Sequence, residues 1–157
     1  MRIPKIYLET SVLNFVFADD APDKRSDTLK LFEEIKNGRY CPFTSIYVTE
    51  ETDKATEDKR KKMYEVVLDY KIDILQKTNE IKQLADIYVN EGIIPKRYVM
   101  DALHIAAATI NNIDAIISWN FEHIVKRKTI IMTESVNLRN GYKKVEIYSP
   151  AQVVEYV

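Results

Sequence analysis

The sequence predicts an α/β layer fold around a mainly parallel five-stranded sheet. Five short apolar runs alternate with longer stretches whose apolar residues recur every three to four positions, the pattern of strands separated by amphipathic helices. Polar or turn residues bound each run, and no Pro/Ser-rich linker, repeat or low-complexity tract interrupts the series. A chain of 157 residues is also long enough to bury a core without covalent staples. Residues 1–157 therefore read as a single domain.

Ile6-Tyr7-Leu8 is a short apolar run closed by Glu9-Thr10-Ser11, which suits a buried strand followed by a helix N-cap. Ser26-Asp27 predict the start of a helix with Leu29, Phe32 and Ile35 inward and Gly38 at its end. Tyr40 to Ser45 reads as the second strand. One long polar helix is expected from about Tyr47 to Tyr70, carrying Val48, Ala55, Met63, Val66 and Val67. Ile72-Asp73-Ile74-Leu75 is the third strand. Thr78 opens a helix with Ile81, Leu84, Ala85 and Tyr88 inward and Gly92 at its end, and Pro95 breaks the chain before an Ala-rich helix from about Arg97 to Asn111. Ala115 to Ser118 and Val145 to Tyr148 are the fourth and fifth strands, and Ser149-Pro150 start a terminal helix through Val157.

Composition narrows the function. With 23 Lys and Arg against 24 Asp and Glu, the formal charge is −1, which excludes a globally basic nucleic-acid coat and leaves local patches open. Cys41 is the single cysteine, so neither an internal disulfide framework nor a cysteine zinc cluster fits. His104 and His123 are too few for a His-rich metal site, and Gly38, Gly92 and Gly141 are too scattered for a phosphate-binding glycine loop. No apolar run has the length of a membrane span, and the N-terminus does not read as a signal peptide, so a reduced, cytoplasmic setting is the expectation. Carboxylates remain the abundant chemical resource.

Ligands of open parallel sheets sit beyond the carboxyl ends of strands, near the point where strand order reverses. Glu9 follows strand one at that level, and a carboxylate directly after a buried run needs a reason to be there. Thr10 and Ser11 read first as helix caps, in a place where a hydroxyl could also face a metal. Glu51 lies six residues past Ser45; on periodicity alone, Glu50-Glu51 simply complement a helix dipole. Asp101 opens a helix that is apolar nearly all round, where an unpaired acid is costly. His104 shares its face, as a hydrogen-bonded core histidine or as a metal ligand. Oxygen-only acids point to Mg²⁺ or Mn²⁺ and to phosphoryl chemistry.

Four segments then resemble the PIN domain in order and separation: Tyr7-Leu8-Glu9-Thr10-Ser11-Val12-Leu13-Asn14-Phe15, Ser45-x-x-Val48-x-x-Glu51, Asp101-Ala102-Leu103-His104-Ile105-Ala106-Ala107-Ala108, and Ser118-Trp119-Asn120-Phe121-Glu122-His123-Ile124. The resemblance covers nearly the whole chain. It implies a three-layer α/β/α fold with strand order 3-2-1-4-5. It also implies a Mg²⁺/Mn²⁺-dependent single-strand endoribonuclease that hydrolyses RNA by metal-activated water, leaving a 5′-phosphate and a 3′-hydroxyl. Many members are VapC-type toxins with an antitoxin partner, and members are commonly homodimers. The family's first three acids fall on Glu9, Glu51 and Asp101, the implied metal ligands, which replaces the dipole reading of Glu51. The fourth falls on Asn120, with His123 at a position where some members carry an acid. Thr10, Ser11 and His104 would support the site. Glu9 is a methylene longer than the usual Asp and Asn120 is neutral, so a PIN module that binds RNA or a protein partner without cleaving is the alternative.

RNA near an acidic pocket needs positive charge. Lys54, Lys59, Arg60, Lys61 and Lys62 stand against Glu57 and Asp58, and Lys126-Arg127-Lys128 follow Asn120. Lys54, Arg60, Lys126 and Arg127 are the candidate RNA contacts, with Trp119 and the tyrosines as candidate stacking surfaces. Asp114 reads as a strand-start or turn residue.

Overall fold

The computed structural model describes residues 2–156. Five strands, β1 (Lys5–Leu8), β2 (Cys41–Ser45), β3 (Asp73–Leu75), β4 (Ala115–Ile117) and β5 (Glu146–Tyr148), form one sheet in the order β3-β2-β1-β4-β5. Every pairing is parallel. The order implied by the PIN resemblance is the order observed. Connections α1 (Thr10–Phe15) and α2 (Pro22–Lys36) join β1 to β2, and α3 (Ile46–Asp53) and α4 (Glu57–Asp69) join β2 to β3. The chain then returns across β1 through α5 (Asn79–Asn90), a 3₁₀ turn (Lys96–Tyr98) and α6 (Val99–Ile110), and α7 (Arg127–Arg139) joins β4 to β5 before α8 (Pro150–Val153).

The strands alternate faces, and each face is covered. Ile6 and Leu8 of β1 and Ala115 and Ile117 of β4 pack with Leu13, Leu31, Phe32, Met63 and Val66 on one side. Tyr7 and Ile116 point the other way, against Ile81, Leu84, Tyr88, Ile105 and Ile147. Two apolar layers on either face of a parallel sheet make the three-layer α/β/α architecture. Each fully buried Leu or Ile contributes about 1.5–3 kcal/mol, so the sheet is anchored from both sides.

Several expected elements differ. The single helix from Tyr47 to Tyr70 is two, separated at Lys54-Ala55-Thr56, because the Thr56 side chain accepts from the Lys59 N–H (3.3 Å) and caps α4 afresh. The helix expected from Ser26 starts at Pro22, which suits a first turn that needs no donor, and Ser26 lies inside it. The terminal helix stops at Val153; Val154 to Tyr156 are not helical, and Val157 lies outside the described residues. α7 was not legible from periodicity, since its buried face is Thr129, Thr133, Val136 and Asn137. Among the described residues, no helix is long and apolar enough to cross a membrane.

Candidate functional site

Strand order reverses between β1 and β4, whose residues Leu8 and Ile117 pair in register. Glu9 leaves β1 there as the N-cap position of α1, and its N–H donates to the Ile117 carbonyl (3.1 Å). The side chain is only 5% exposed. Its Oε1 accepts from Ser11 Oγ (2.5 Å) and from Ser118 Oγ (2.6 Å). Those two hydroxyls accept in turn from the Trp119 N–H (2.8 Å) and the Asn120 N–H (2.9 Å). The turn after β4 thus fixes one oxygen of Glu9, and among the described residues Oε2 has no hydrogen-bond donor. The cap reading of Thr10 and Ser11 does not hold: no side chain caps α1, and both hydroxyls bond carboxylates instead.

Asp101 lies in the first turn of α6. Its Oδ2 meets His123 Nδ1 at 3.1 Å, and the Tyr98 ring packs on the His123 ring at 4.1 Å between centroids. The His123 N–H donates to Asn120 Oδ1 (2.9 Å), so Asn120 braces the loop that carries His123. Burial, followed by the charge of Glu9, pushes the Asp101 carboxyl above its ordinary value, outweighing the two histidines and a hydrogen bond from Asn120. Among the described residues neither Glu9 nor Asp101 forms an ion pair with lysine or arginine.

Glu51 lies in the second half of an eight-residue helix, so the expected dipole position at a helix start is not what the fold provides. Its Oε1 accepts from Thr10 Oγ1 (2.6 Å) and bonds His104 Nε2 (2.5 Å). His104 is fully buried on α6, and its Nδ1 meets the Tyr7 hydroxyl at 2.6 Å, which meets Ser45 Oγ at 2.6 Å. Burial opposes the imidazolium, but the Glu51 hydrogen bond and the charges of Glu9, Glu51 and Asp101 raise the His104 pKa overall. Burial likewise opposes the Glu51 carboxylate, yet His104, Thr10 and Lys54 carry its pKa downward. His104 thus sits among three acids whose charges favour its protonated form against burial.

The donor chemistry of buried Glu9 and half-buried Asp101, two carboxylates without a Lys or Arg partner among the described residues, fits a hard divalent cation. The expected three-acid set is not assembled as such. Glu51 is committed to His104 and Thr10, and among the described residues no three His, Cys, Asp or Glu side chains group to hold an ion. Glu9 and Asp101 form a pair, and Glu51 is a neighbour reached through Thr10.

No family model matches the chain, and neither does any curated protein. Among solved structures, the chain is similar to the crystal structure of VapBC2 from Rickettsia felis bound to a DNA fragment from their promoter. Identity is 14%, with 92% of this chain and 98% of that chain covered and a TM-score of 0.55. At that identity the likeness is one of fold.

The basic candidates spread unevenly. Lys54 follows α3 and acts on Glu51, while Arg60 turns back to the Asp53 carbonyl (3.5 Å). Lys126 and Arg127 are exposed at the start of α7, which Thr129 Oγ1 ties to the His123 carbonyl (2.6 Å). Trp119 is 7% exposed, its indole N–H held by Thr28 Oγ1 (2.8 Å), so it offers no open stacking face. Sequence reading assigned no role to Ser118, Ser45, Tyr7 or Tyr98. Ser118 and Ser45 stand at strand ends, which was the available signal; Tyr7 and Tyr98 gave none, because their partners are distant in sequence.

Proposed function

We propose that residues 1–157 form one catalytic domain, a Mg²⁺/Mn²⁺-dependent single-strand endoribonuclease acting as the toxin of a cytoplasmic toxin–antitoxin pair and working as a homodimer. The four PIN-like segments, the strand order and the VapBC2 fold likeness support this reading. The observation that carries it is the pair of Glu9, buried at the reversal point, and half-buried Asp101, which meet hydroxyl, imidazole and amide groups instead of lysine or arginine.

Glu9 and Asp101 would hold the ion, with Asn120 bracing the loop beside them. A divalent ion there supplies charge neutralisation at a phosphate oxygen and a lowered pKa for water. Ser11 and Ser118 fix one oxygen of Glu9, which leaves the other for the ligand. His104 and Thr10 fix Glu51 beside the other two acids. Lys54, Lys126 and Arg127 draw the RNA backbone toward this end of the sheet, with Arg60 farther out on α4. The products are a 5′-phosphate and a 3′-hydroxyl. Single-turnover cleavage of single-stranded RNA in Mg²⁺ or Mn²⁺, with Asp101→Asn as control, tests the assignment; equal cleavage by both proteins would sink it.

A second reading, a PIN module that binds RNA or a protein partner without cleaving, is favoured by the commitment of Glu51 to His104 and by the neutral Asn120. Calorimetric titration separates the two: RNA binding with no Mn²⁺ uptake at millimolar concentration selects the second.

A further inference from the structure

Beside the candidate site, on the side of the sheet that carries α1 and α2, stands a group of aromatic rings around one lysine. Phe121 follows Asn120 directly and is 49% exposed. Its ring meets Trp119 edge-on, with centroids 6.1 Å apart at 69°, and Trp119 meets Phe15 at 5.8 Å. Lys24 Nζ lies 5.3 Å from the Phe15 centroid, 5.6 Å from Trp119 and 5.7 Å from Phe121. Among the described residues Lys24 forms no ion pair with a carboxylate. Phe15 also borders a groove of about 380 Å³ whose walls include Phe17, Lys59 and Lys62 together with Asp20 and Asp58; Lys62 Nζ sits 5.7 Å from the Phe17 centroid and pairs with Asp58 (3.2 Å), while Lys59 has no carboxylate partner among the described residues.

We propose that Phe121, Lys24 and Phe15 form a subsite for one nucleotide of a single-stranded nucleic acid, its base stacked on Phe121 and its phosphate at Lys24, with the adjoining groove continuing the strand's path. The subsite is joined to the acids through the chain itself: Trp119 N–H bonds Ser11, which bonds Glu9, and Phe121 lies two residues beyond Trp119. Thr28 locks the Trp119 indole, so the floor under Phe121 is preorganised and little freedom is lost on stacking. An ammonium over neutral rings gains cation–π attraction yet still lacks an anion, and a phosphate supplies one. An exposed π-face next to an unpaired cation suits a base and its backbone, because every base has a face to stack. A purely apolar protein contact would instead have to cover the lysine. This assignment rests on the nucleic-acid reading above, and its readout is binding, which needs neither cleavage nor metal.

The test is fluorescence anisotropy of a labelled oligouridylate of about ten nucleotides with the full chain in EDTA. Phe121→Ala should weaken binding roughly 5- to 150-fold, the range seen for single stacking residues. Phe121→Leu should weaken it comparably, since it keeps apolar bulk without a π-face, whereas Phe121→Tyr should restore it. Lys24→Gln should lower the slope of log affinity against log salt by about 0.7, one phosphate contact to a single strand. This pattern supports the subsite even if the wild-type protein cleaves nothing, in which case the nuclease reading alone fails. Wild-type affinity in all four variants overturns the subsite and leaves the nuclease reading standing. A wild-type protein that binds no oligonucleotide, but whose self-association in sedimentation changes on Phe121→Ala, overturns it in favour of a protein contact.

Discussion

Asp114 and the Glu9–Asp101 pair stand at opposite ends of the same two central strands. Asp114 precedes β4 and accepts from Arg2 Nη1 and Nη2 (2.9 Å each), from the Lys5 N–H (2.8 Å) and from Lys143 Nζ (3.1 Å). Glu9 and Asp101, beyond the other end, meet serine hydroxyls, an imidazole and Asn120. The Arg2 hydrogen bond, with help from Lys5 and Lys143, holds the Asp114 carboxyl well below the ordinary range against some burial. Asp101 moves the opposite way, through burial and the charge of Glu9. One carboxylate is matched by arginine and lysine from within the fold; the other meets an imidazole and an amide and, among the described residues, no lysine or arginine. Acids that strain a fold in this manner are candidates for function, whereas compensated ones are candidates for structure.

The sharpest way to break the contrast is cleavage. Asp101→Asn should lower single-turnover RNA cleavage by about a thousandfold, the scale of losing one preorganised electrostatic group, while Asp114→Asn leaves it unchanged. Similar losses in both variants would erase the distinction. His104→Ala should come next, destabilising the fold by about 3 kcal/mol in chemical denaturation, because the Tyr7 hydroxyl and the Glu51 carboxylate lose a shared buried partner.

Asp114→Asn should cost about 1 kcal/mol at neutral pH, a drop in melting temperature of about 3 °C. Its pH dependence has a definite sign. A carboxyl whose folded pKa is depressed contributes stability above its unfolded pKa and loses it as pH falls through the folded value. Wild-type stability should therefore fall more steeply than that of the variant below about pH 4. The smallest effect has the opposite sign: in EDTA, Asp101→Asn should stabilise the fold by about 0.5 kcal/mol, because it removes a partly buried carboxylate that feels the charge of Glu9. Adding Mg²⁺ should then raise the melting temperature of the wild type but not of Asp101→Asn. Destabilisation by Asp101→Asn in EDTA would place it with Asp114 as a structural acid.

The sequence carried the strands well, since buried apolar runs leave a local trace, and the Thr78 cap, which accepts from the Ile81 N–H (3.1 Å), was equally local. Gly38 and Gly92 ended their helices with φ of +82° and +77°, conformations that glycine adopts at no steric cost. α7 leaves no apolar periodicity because polar side chains fill its inward face: Asn137, for one, accepts from the Tyr88 hydroxyl on α5. No periodicity records a buried threonine that pairs across the fold. The break after α3 was present as Thr56-Glu57-Asp58, a capping signal masked by the charges around it.

The candidate acids were legible as residues, because a carboxylate next to an apolar run stands out wherever the chain folds. Their partners were not. Glu51 meets His104 across 53 positions and Glu9 meets Ser118 across 109, separations over which sequence carries no geometric information. By itself the sequence determined the layered α/β architecture, the oxygen-rich chemistry and which acids lie near strand ends. The tertiary structure alone decided that Glu51 joins a buried histidine while Glu9 and Asp101, among the described residues, remain without a lysine or arginine partner. Hydrogen bonding and charge compensation depend on distances that only the closed sheet sets.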